Sequence, residues 1–259
     1  MRITALVENT SAHGLPAEHG LSLLVEANGC RCLFDTGKTG LFEQNADALG
    51  IDLDQVDFAV ISHGHYDHGG GIGTFLKRNS HAPVWMSSYA FEPHYNALDE
   101  YIGLDPALQD SDRIRPVSLQ TEIAPGFTLC PCRDAKRIWR PDAFGLKMAQ
   151  GGALVEDDFR HEQYLLVEEY GKRVLFSGCS HRGILNIMHW FRPDVLVGGF
   201  HFFKLPADDT LDEFADALNA CPAEYYTCHC TGFEQYEYMK QRMPRLHYLG
   251  TGESVTLFE

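Results

Sequence analysis

No apolar run in the chain reaches the roughly 18 residues that crossing a bilayer takes, so a membrane-spanning helix is excluded. Basic residues are scarce: 21 Lys and Arg stand against 36 Asp and Glu, for a net charge of −15. Non-specific nucleic-acid binding needs a basic footprint, and this chain lacks one. The shortage leaves room for a small anionic substrate in a locally positive, metal-filled cleft. No Cys-x-x-Cys pair occurs among the eight cysteines, so there is no zinc ribbon. An export signal is not expected either: Met1–Glu8 reads as a strand whose apolar run is broken by Thr4 and Glu8. The thiols are therefore expected to be reduced, in a cytoplasmic setting. Cys30, Cys32 and Cys221 read as small buried apolar side chains on strands.

What the chain does have is a cluster of imidazoles. His63-Gly64-His65-Tyr66-Asp67-His68-Gly69-Gly70-Gly71 follows the apolar run Phe58–Ile61, which reads as a buried strand. Three histidines and an aspartate thus sit at a strand's end, on a turn that glycine allows to fold sharply. His63 and His65 are two apart and can face the same way. Asp67 and His68 come a turn later and can face a second centre. Without a cation, such a group would leave its polar atoms poorly paired. Imidazole and carboxylate are ligands that zinc, iron and manganese share.

Around this motif, residues 3–8, 21–27 and 31–34 read as strands, with Asn28-Gly29 as a hairpin turn. Helices are expected over 39–49, stopped by Gly50, and over 73–78. The second of these would turn its N-terminus, which favours anionic groups, toward the motif. Residues 84–86 form another short strand. The stretch 87–150, rich in proline and aromatics, reads as an insertion of short helices and loops covering the cleft. Its Arg133, Lys136, Arg137, Arg140 and Lys147 read either as a receptor for an anionic substrate or as a solvated basic face. Beyond 150, strands are expected at 163–168, 173–177, 194–198, 224–228, 245–249 and 254–258. Helices are expected at 184–191, 210–220 (capped by Asp208 or Asp209) and 231–243. Two β-rich halves with flanking helices suit an α/β protein, a four-layer αββα sandwich. The 259 residues, 44% hydrophobic, read as a single domain.

His-x-His-x-Asp-His after a hydrophobic strand resembles the signature of the metallo-β-lactamase superfamily. The resemblance extends over nearly the whole chain. It implies the αββα sandwich and a one- or two-metal site that activates water. It also implies that Asp35, in Asp35-Thr36-Gly37, lies beneath the metal loop and holds its backbone or an imidazole N–H. Ligands from the second half are implied as well. His229, in Cys228-His229-Cys230-Thr231-Gly232, matches the family's final histidine. In Gly178-Cys179-Ser180-His181, Cys179 stands where most members have a bridging aspartate. Either its thiolate ligates, favouring zinc, or it does not, leaving a lopsided or single-metal site. His181 is taken as the missing imidazole of the first centre, with Asp158 and His161 in reserve. His201, after Gly198-Gly199, reads as a ligand, a leaving-group acid or a substrate contact. His13, His81, His94, His189 and His247 read as surface or internally satisfied.

Glu8-Asn9-Thr10, Glu18-His19-Gly20, Ser177–Ile184, Gly-Gly-Phe-His and His-Cys-Thr-Gly together resemble the dihydropteroate-synthase-like branch. That branch includes a proposed methanopterin-precursor synthase. Glu8 and His19 could reach the cleft from the first loop, or serve structure alone. The expected reaction is metal-assisted hydrolysis of an ester, with a phosphoester favoured. Asp67 would act as metal ligand or proton acceptor, and His201 or Tyr66 would assist the leaving group. The cofactor is expected to be one or two divalent ions, zinc first, with iron or manganese as alternatives. The partner is a small molecule, with neither nucleic acid nor membrane. A pterin-dependent transferase, an iron redox protein and a metal-retaining ligand sensor are the alternatives.

Overall fold

Alternate side chains along the strands enter different cores. Val174 and Phe176 point one way and Leu175 the other, and all three are buried. Leu165 and Val167 against Leu166, and Val195 and Val197 against Leu196, repeat the pattern. A sheet apolar on both faces has to be covered on both faces. That requirement builds the architecture.

The computed structural model describes residues 1–258. Its first half runs β1 (Arg2–Val7), β2 (Ser22–Ala27), β3 (Cys30–Phe34), α1 (Leu41–Ala48), β4 (Phe58–Val60), α2 (Tyr66–Gly69), α3 (Ile72–Arg78), β5 (Val84–Ser87), β6 (His94–Tyr95) and β7 (Ile114–Val117). The second half continues with β8 (Thr121–Ala124), β9 (Phe127–Cys130), β10 (Lys147–Gln150), β11 (Ala153–Glu156), β12 (Tyr164–Glu169), β13 (Lys172–Ser177), α4 (Ile184–Phe191), β14 (Val195–Gly198), α5 (Asp209–Asn219), β15 (Glu224–Thr227), α6 (Phe233–Met239), β16 (Leu246–Tyr248) and β17 (Ser254–Thr256). One sheet has the order β17-β1-β2-β3-β4-β5-β7, the other β16-β15-β14-β13-β12-β9-β8, and a small third sheet is β11-β10-β6.

Three apolar cores separate four layers. Phe34, Phe58 and Val60 meet Phe127, Val167 and Phe176 between the large sheets. Phe42 and Ala46 of α1, with Ile72 and Phe75 of α3, cover the outer face of the first sheet. Ile187 of α4, Leu211 and Leu218 of α5, and Met239 of α6 cover the outer face of the second. The αββα expectation is met. Phe34 and Phe176 touch across the central layer, with ring centroids 5.7 Å apart. Phe176→Ala should therefore cost ~3–5 kcal/mol, as large core truncations do. Urea unfolding measures it, and a loss below ~1 kcal/mol would show that the layer repacks freely.

The stretch 87–150 corrects the sequence reading. It holds a single three-residue helical turn, Pro106–Leu108, and five strands. Three of them (β7, β8 and β9) extend the large sheets. Pro116 concealed β7: it sits in an edge strand, where a missing N–H costs little. Within this stretch, Trp139, Arg140, Pro141, Asp142 and Phe144 line the cavity beside the cleft. Cys221 also differs, lying beyond the end of α5 and not on a strand, and of Cys30, Cys32 and Cys221 only Cys32 is fully buried. All eight cysteines are free thiols. No helix among the described residues is long and apolar enough to cross a membrane.

Strands β3, β4 and β5 run parallel, as do β13, β14, β15 and β16. Their C-terminal ends share one rim. In open α/β sheets this is where ligands bind. Asp35, the 63–68 loop, Cys179, His181, His201 and His229 all leave strands at that rim. Asp35, Phe159, Ser180, His201 and His229 there have φ between 49° and 61°, the left-handed region that side chains other than glycine avoid.

Candidate metal centre

Asp35 organises the first loop. It is fully buried, and Oδ1 accepts the Ser62 N–H at 2.7 Å. Oδ2 accepts Ser62 Oγ–H and His68 Nδ1–H, each at 2.7 Å. Because Ser62 Oγ gives its proton to Asp35, it can only accept from His63 Nδ1, 2.8 Å away. Both imidazoles therefore carry the proton on Nδ1 and turn a bare Nε2 toward the rim. Asp35 lies beneath the loop, and Ser62, which the sequence did not single out, carries its hold to His63. Gly64 is required as well, since a Cβ there would run into the Ala90 carbonyl.

The second half answers with its own bare nitrogens. His229 Nδ1 donates to Asn9 Oδ1 at 2.8 Å, so its Nε2 is free. It lies 3.1 Å from His68 Nε2. His181 Nε2 lies 3.3 Å from His63 Nε2. Two lone pairs this close repel unless a proton or metal ion stands between them. Cys179 sits among these pairs, with Sγ 3.2 Å from His68 Nε2. Its sulfur belongs to three compact sets of potential ligand atoms, with His63 and His181, with His68 and His229, and with His201 and Cys230. The donor set thus fits a divalent cation, or two sharing the sulfur.

Electrostatics point the same way. Burial, with neighbouring imidazoles adding to it, holds His63, His65 and His181 well below the ordinary histidine range. His229 is lowered to about 4 by burial, against the pull of Asp67. His68 is the exception: burial lowers it, but Asp35 and Asp67 outweigh that and raise it. Asp67 is opposed by burial, yet His68, His19 and His229 hold it well below the usual carboxylate range. Its Oδ2 lies 3.4 Å from His229 Nε2 and 3.9 Å from His68 Nε2. Burial and Cys230 push the Cys179 thiol well up, so it sheds its proton only to a cation.

Other expected residues fall differently. Glu8, a candidate for substrate contact or for structure alone, is buried and spent on protein. Oε1 accepts the His229 N–H at 2.8 Å and Tyr248 OH at 2.6 Å, while Oε2 accepts the Thr10 N–H and hydroxyl. It fixes the His229 loop. His19 reaches the rim, half exposed, with Nε2 3.2 Å from Asp67. Tyr66 opens α2, half-buried. Asp158 is exposed and turned to the Arg160 N–H, away from the cluster. His161 is buried, but its Nδ1 accepts the Gly64 N–H at 2.8 Å. His94, read as surface or satisfied, is fully buried beside it, and its Nε2 has no partner. The start of α3 packs on the Thr36 to Thr39 backbone through Gly70 and Gly71, leaving no anion site. The basic residues do not converge: Arg133 goes to Tyr89, Arg137 to the Asp158 carbonyl and Lys147 to Asp99. Glu162 went unseen. Its carboxylate accepts the His181 and Arg182 N–H groups at 2.7 and 2.9 Å and so sets the Cys179–His181 turn. Its place one residue after His161 was the available signal.

Beside His181 and His201 opens a cavity of about 200 Å³. Trp139, Phe144, Phe200, Phe202 and Leu205 give it apolar walls, and Arg140 and Asp142 are its charged members. His201 is partly buried, and neither ring nitrogen has a partner. Burial, then His229, lowers it to about 3, so it is neutral at physiological pH. It offers a hydrogen bond to whatever enters and is no standing acid.

Four layers and a histidine-lined rim define a class, and sequence comparison agrees. A family model of the metallo-beta-lactamase superfamily matches residues 15–219, and the chain belongs to that superfamily. Tm1679, a metal-dependent hydrolase of the β-lactamase superfamily by its description, is 32% identical, with a TM-score of 0.84 and full coverage of both chains. An uncharacterized Methanocaldococcus jannaschii protein is 27% identical over 253 residues, covering 92% of this chain and 94% of its own. From the same organism, 7,8-dihydropterin-6-methyl-4-(beta-D-ribofuranosyl)-aminobenzene-5'-phosphate synthase is 27% identical over 282 residues, covering 95% and 94%.

Proposed function

We propose that the protein is a metal-dependent hydrolase acting on a small phosphoester or related ester. His63, His65, His181 and Cys179 would form one ligand set, and Asp67, His68, His229 and Cys179 the other. The carrying observation is two pairs of facing imidazole nitrogens, 3.1 and 3.3 Å apart, that share one buried thiol. Thiolate among imidazoles favours zinc over magnesium or manganese. Bound there, a divalent ion supplies a Lewis acid and a water of lowered pKa. The chain supplies the rest. Asp67, ionised and at the rim, accepts a proton from attacking water. His201, neutral, hydrogen-bonds the substrate beside the cavity. The cavity's aromatic walls favour a substrate with an apolar or aryl group next to the scissile bond.

The test is a panel of p-nitrophenyl phosphomonoesters, phosphodiesters and carboxylic esters, run with zinc-, manganese- and iron-loaded protein. Turnover of one class is expected, falling at least ~100-fold in His229→Ala, as when a group stabilising transition-state charge is lost. Metal-loaded protein that binds these compounds without turnover would overturn the hydrolase reading and favour a sensor.

A pterin-dependent transferase is the second reading. The aromatic-lined cavity beside His201 and the near full-length similarity to the dihydropterin synthase favour it. Incubation with a dihydropterin pyrophosphate and a ribosylaminobenzene phosphate, followed by mass spectrometry, distinguishes joined product from simple hydrolysis.

A further inference from the structure

Behind His65 lies a buried group that the proposed chemistry does not use. His94, Asp157 and His161 surround it, and one potential ligand atom from each of the four lies within 4.8 Å of the others. Three Nε2 atoms, those of His65, His94 and His161, have no hydrogen-bond partner. Buried polar atoms are rarely left so, and the proton count shows which can pair.

Asp157 Oδ1 accepts the Phe159 N–H at 2.7 Å. Oδ2 accepts His94 Nδ1–H at 2.8 Å, so His94 carries its proton on Nδ1 and has a lone pair on Nε2. His161 Nδ1 accepts the Gly64 N–H, so its proton is on Nε2, 3.4 Å from Asp157 Oδ2. With that proton in place, His161 Nε2 has no lone pair for a metal. The four residues are therefore not a cation site of their own. Nor does His161 serve His94: their rings lie 3.8 Å apart and 33° from parallel, and an in-plane N–H does not point at a stacked neighbour. One acceptor remains, His94 Nε2, and the other nitrogen of the group without a partner is His65 Nε2; no hydrogen bond joins the two in this structure. Those rings are 5.5 Å apart and nearly perpendicular.

We propose that Asp157 and His94 are positioning residues for His65: Asp157 orients His94, and a small turn of the His65 ring lets His94 Nε2 accept the His65 Nε2–H. With its proton held on Nε2, His65 keeps Nδ1 bare as the nitrogen available to the metal centre. Groups that fix a ligating histidine in this way typically govern metal affinity by 10–100-fold. The inference rests on the assignment of His65 as a metal ligand of the proposed hydrolase.

Zinc affinity, read by competition with a chelating dye, tests it on wild type, Asp157→Asn, His94→Phe and His94→Gln. The visible spectrum of the cobalt-substituted proteins and the melting temperature of the metal-free proteins are read alongside. Asp157→Asn and His94→Phe should weaken zinc binding ~10–100-fold and alter the cobalt spectrum. His94→Gln should restore most of both, because the amide oxygen can accept the His65 N–H. Wild-type affinity in all variants would overturn the proposal. So would equal weakening in His94→Phe and His94→Gln that tracks their melting temperatures, which is packing alone. A metal equivalent lost from His94→Phe while the rim keeps its own would make the group a metal site instead. If the variants rank as expected but no ester is cleaved, the hydrolase reading falls and this inference stands.

Discussion

Metal-free protein moved from pH 7.5 to pH 5.0 is expected to lose at least ~4 kcal/mol of folding stability. The folded rim keeps His63, His65 and His181 neutral by burial, and lowers His229 to about 4 and His201 to about 3. In the unfolded chain the same imidazoles take up protons near pH 6.5. The unfolded state then binds more protons, so stability is intact above about pH 6.5 and falls as pH drops toward the folded values. Each imidazole that stays neutral costs ~2 kcal/mol over this interval, so two suffice for a loss of that size. His68 works the other way, because Asp35 and Asp67 raise it, and it offsets part of the sum. Urea midpoints at the two pH values measure the loss. His201→Phe should shrink it by up to ~2 kcal/mol. Equal midpoints at both pH values would mean that the rim opens to water in the metal-free protein.

Asp35→Asn is expected to be the most damaging single exchange at the site. The carboxylate accepts from the Ser62 N–H, Ser62 Oγ–H and His68 Nδ1–H, all buried. An amide turns one of those acceptors into a donor facing a donor. Breaking a buried charged network of this kind costs ~3–5 kcal/mol. His68 and, through Ser62, His63 then lose the bonds that keep their Nε2 atoms bare, and metal affinity should fall ~10–100-fold. Denaturation and metal titration of the same preparation report both effects. Metal affinity that survives a large stability loss would mean that Asp35 supports the fold without setting the ligand tautomers.

Much of this rim was legible because strand periodicity and ligand chemistry are local. The His63–His68 run, Cys179, His181, His201 and His229 each follow an apolar strand, so their place at strand ends could be read directly. What could not be read depends on contacts across the fold. Glu8 could be read for substrate or for structure because its partners, the His229 N–H and Tyr248, lie more than 200 residues away. His94 has no ligand spacing in sequence and finds Asp157 only when β6 pairs with β10. The strands of 87–150 were hidden by prolines that edge positions tolerate and by segments only four residues long. Periodicity has little to work on at that length.

Metal content per chain, measured by elemental analysis on wild type and Cys179→Ala loaded identically, bears most directly on the claim that the rim closes on a cation through one shared sulfur. Wild type should hold tightly bound metal, and Cys179→Ala should lose at least one equivalent. Unchanged stoichiometry in the variant would contradict the sulfur's place at the centre.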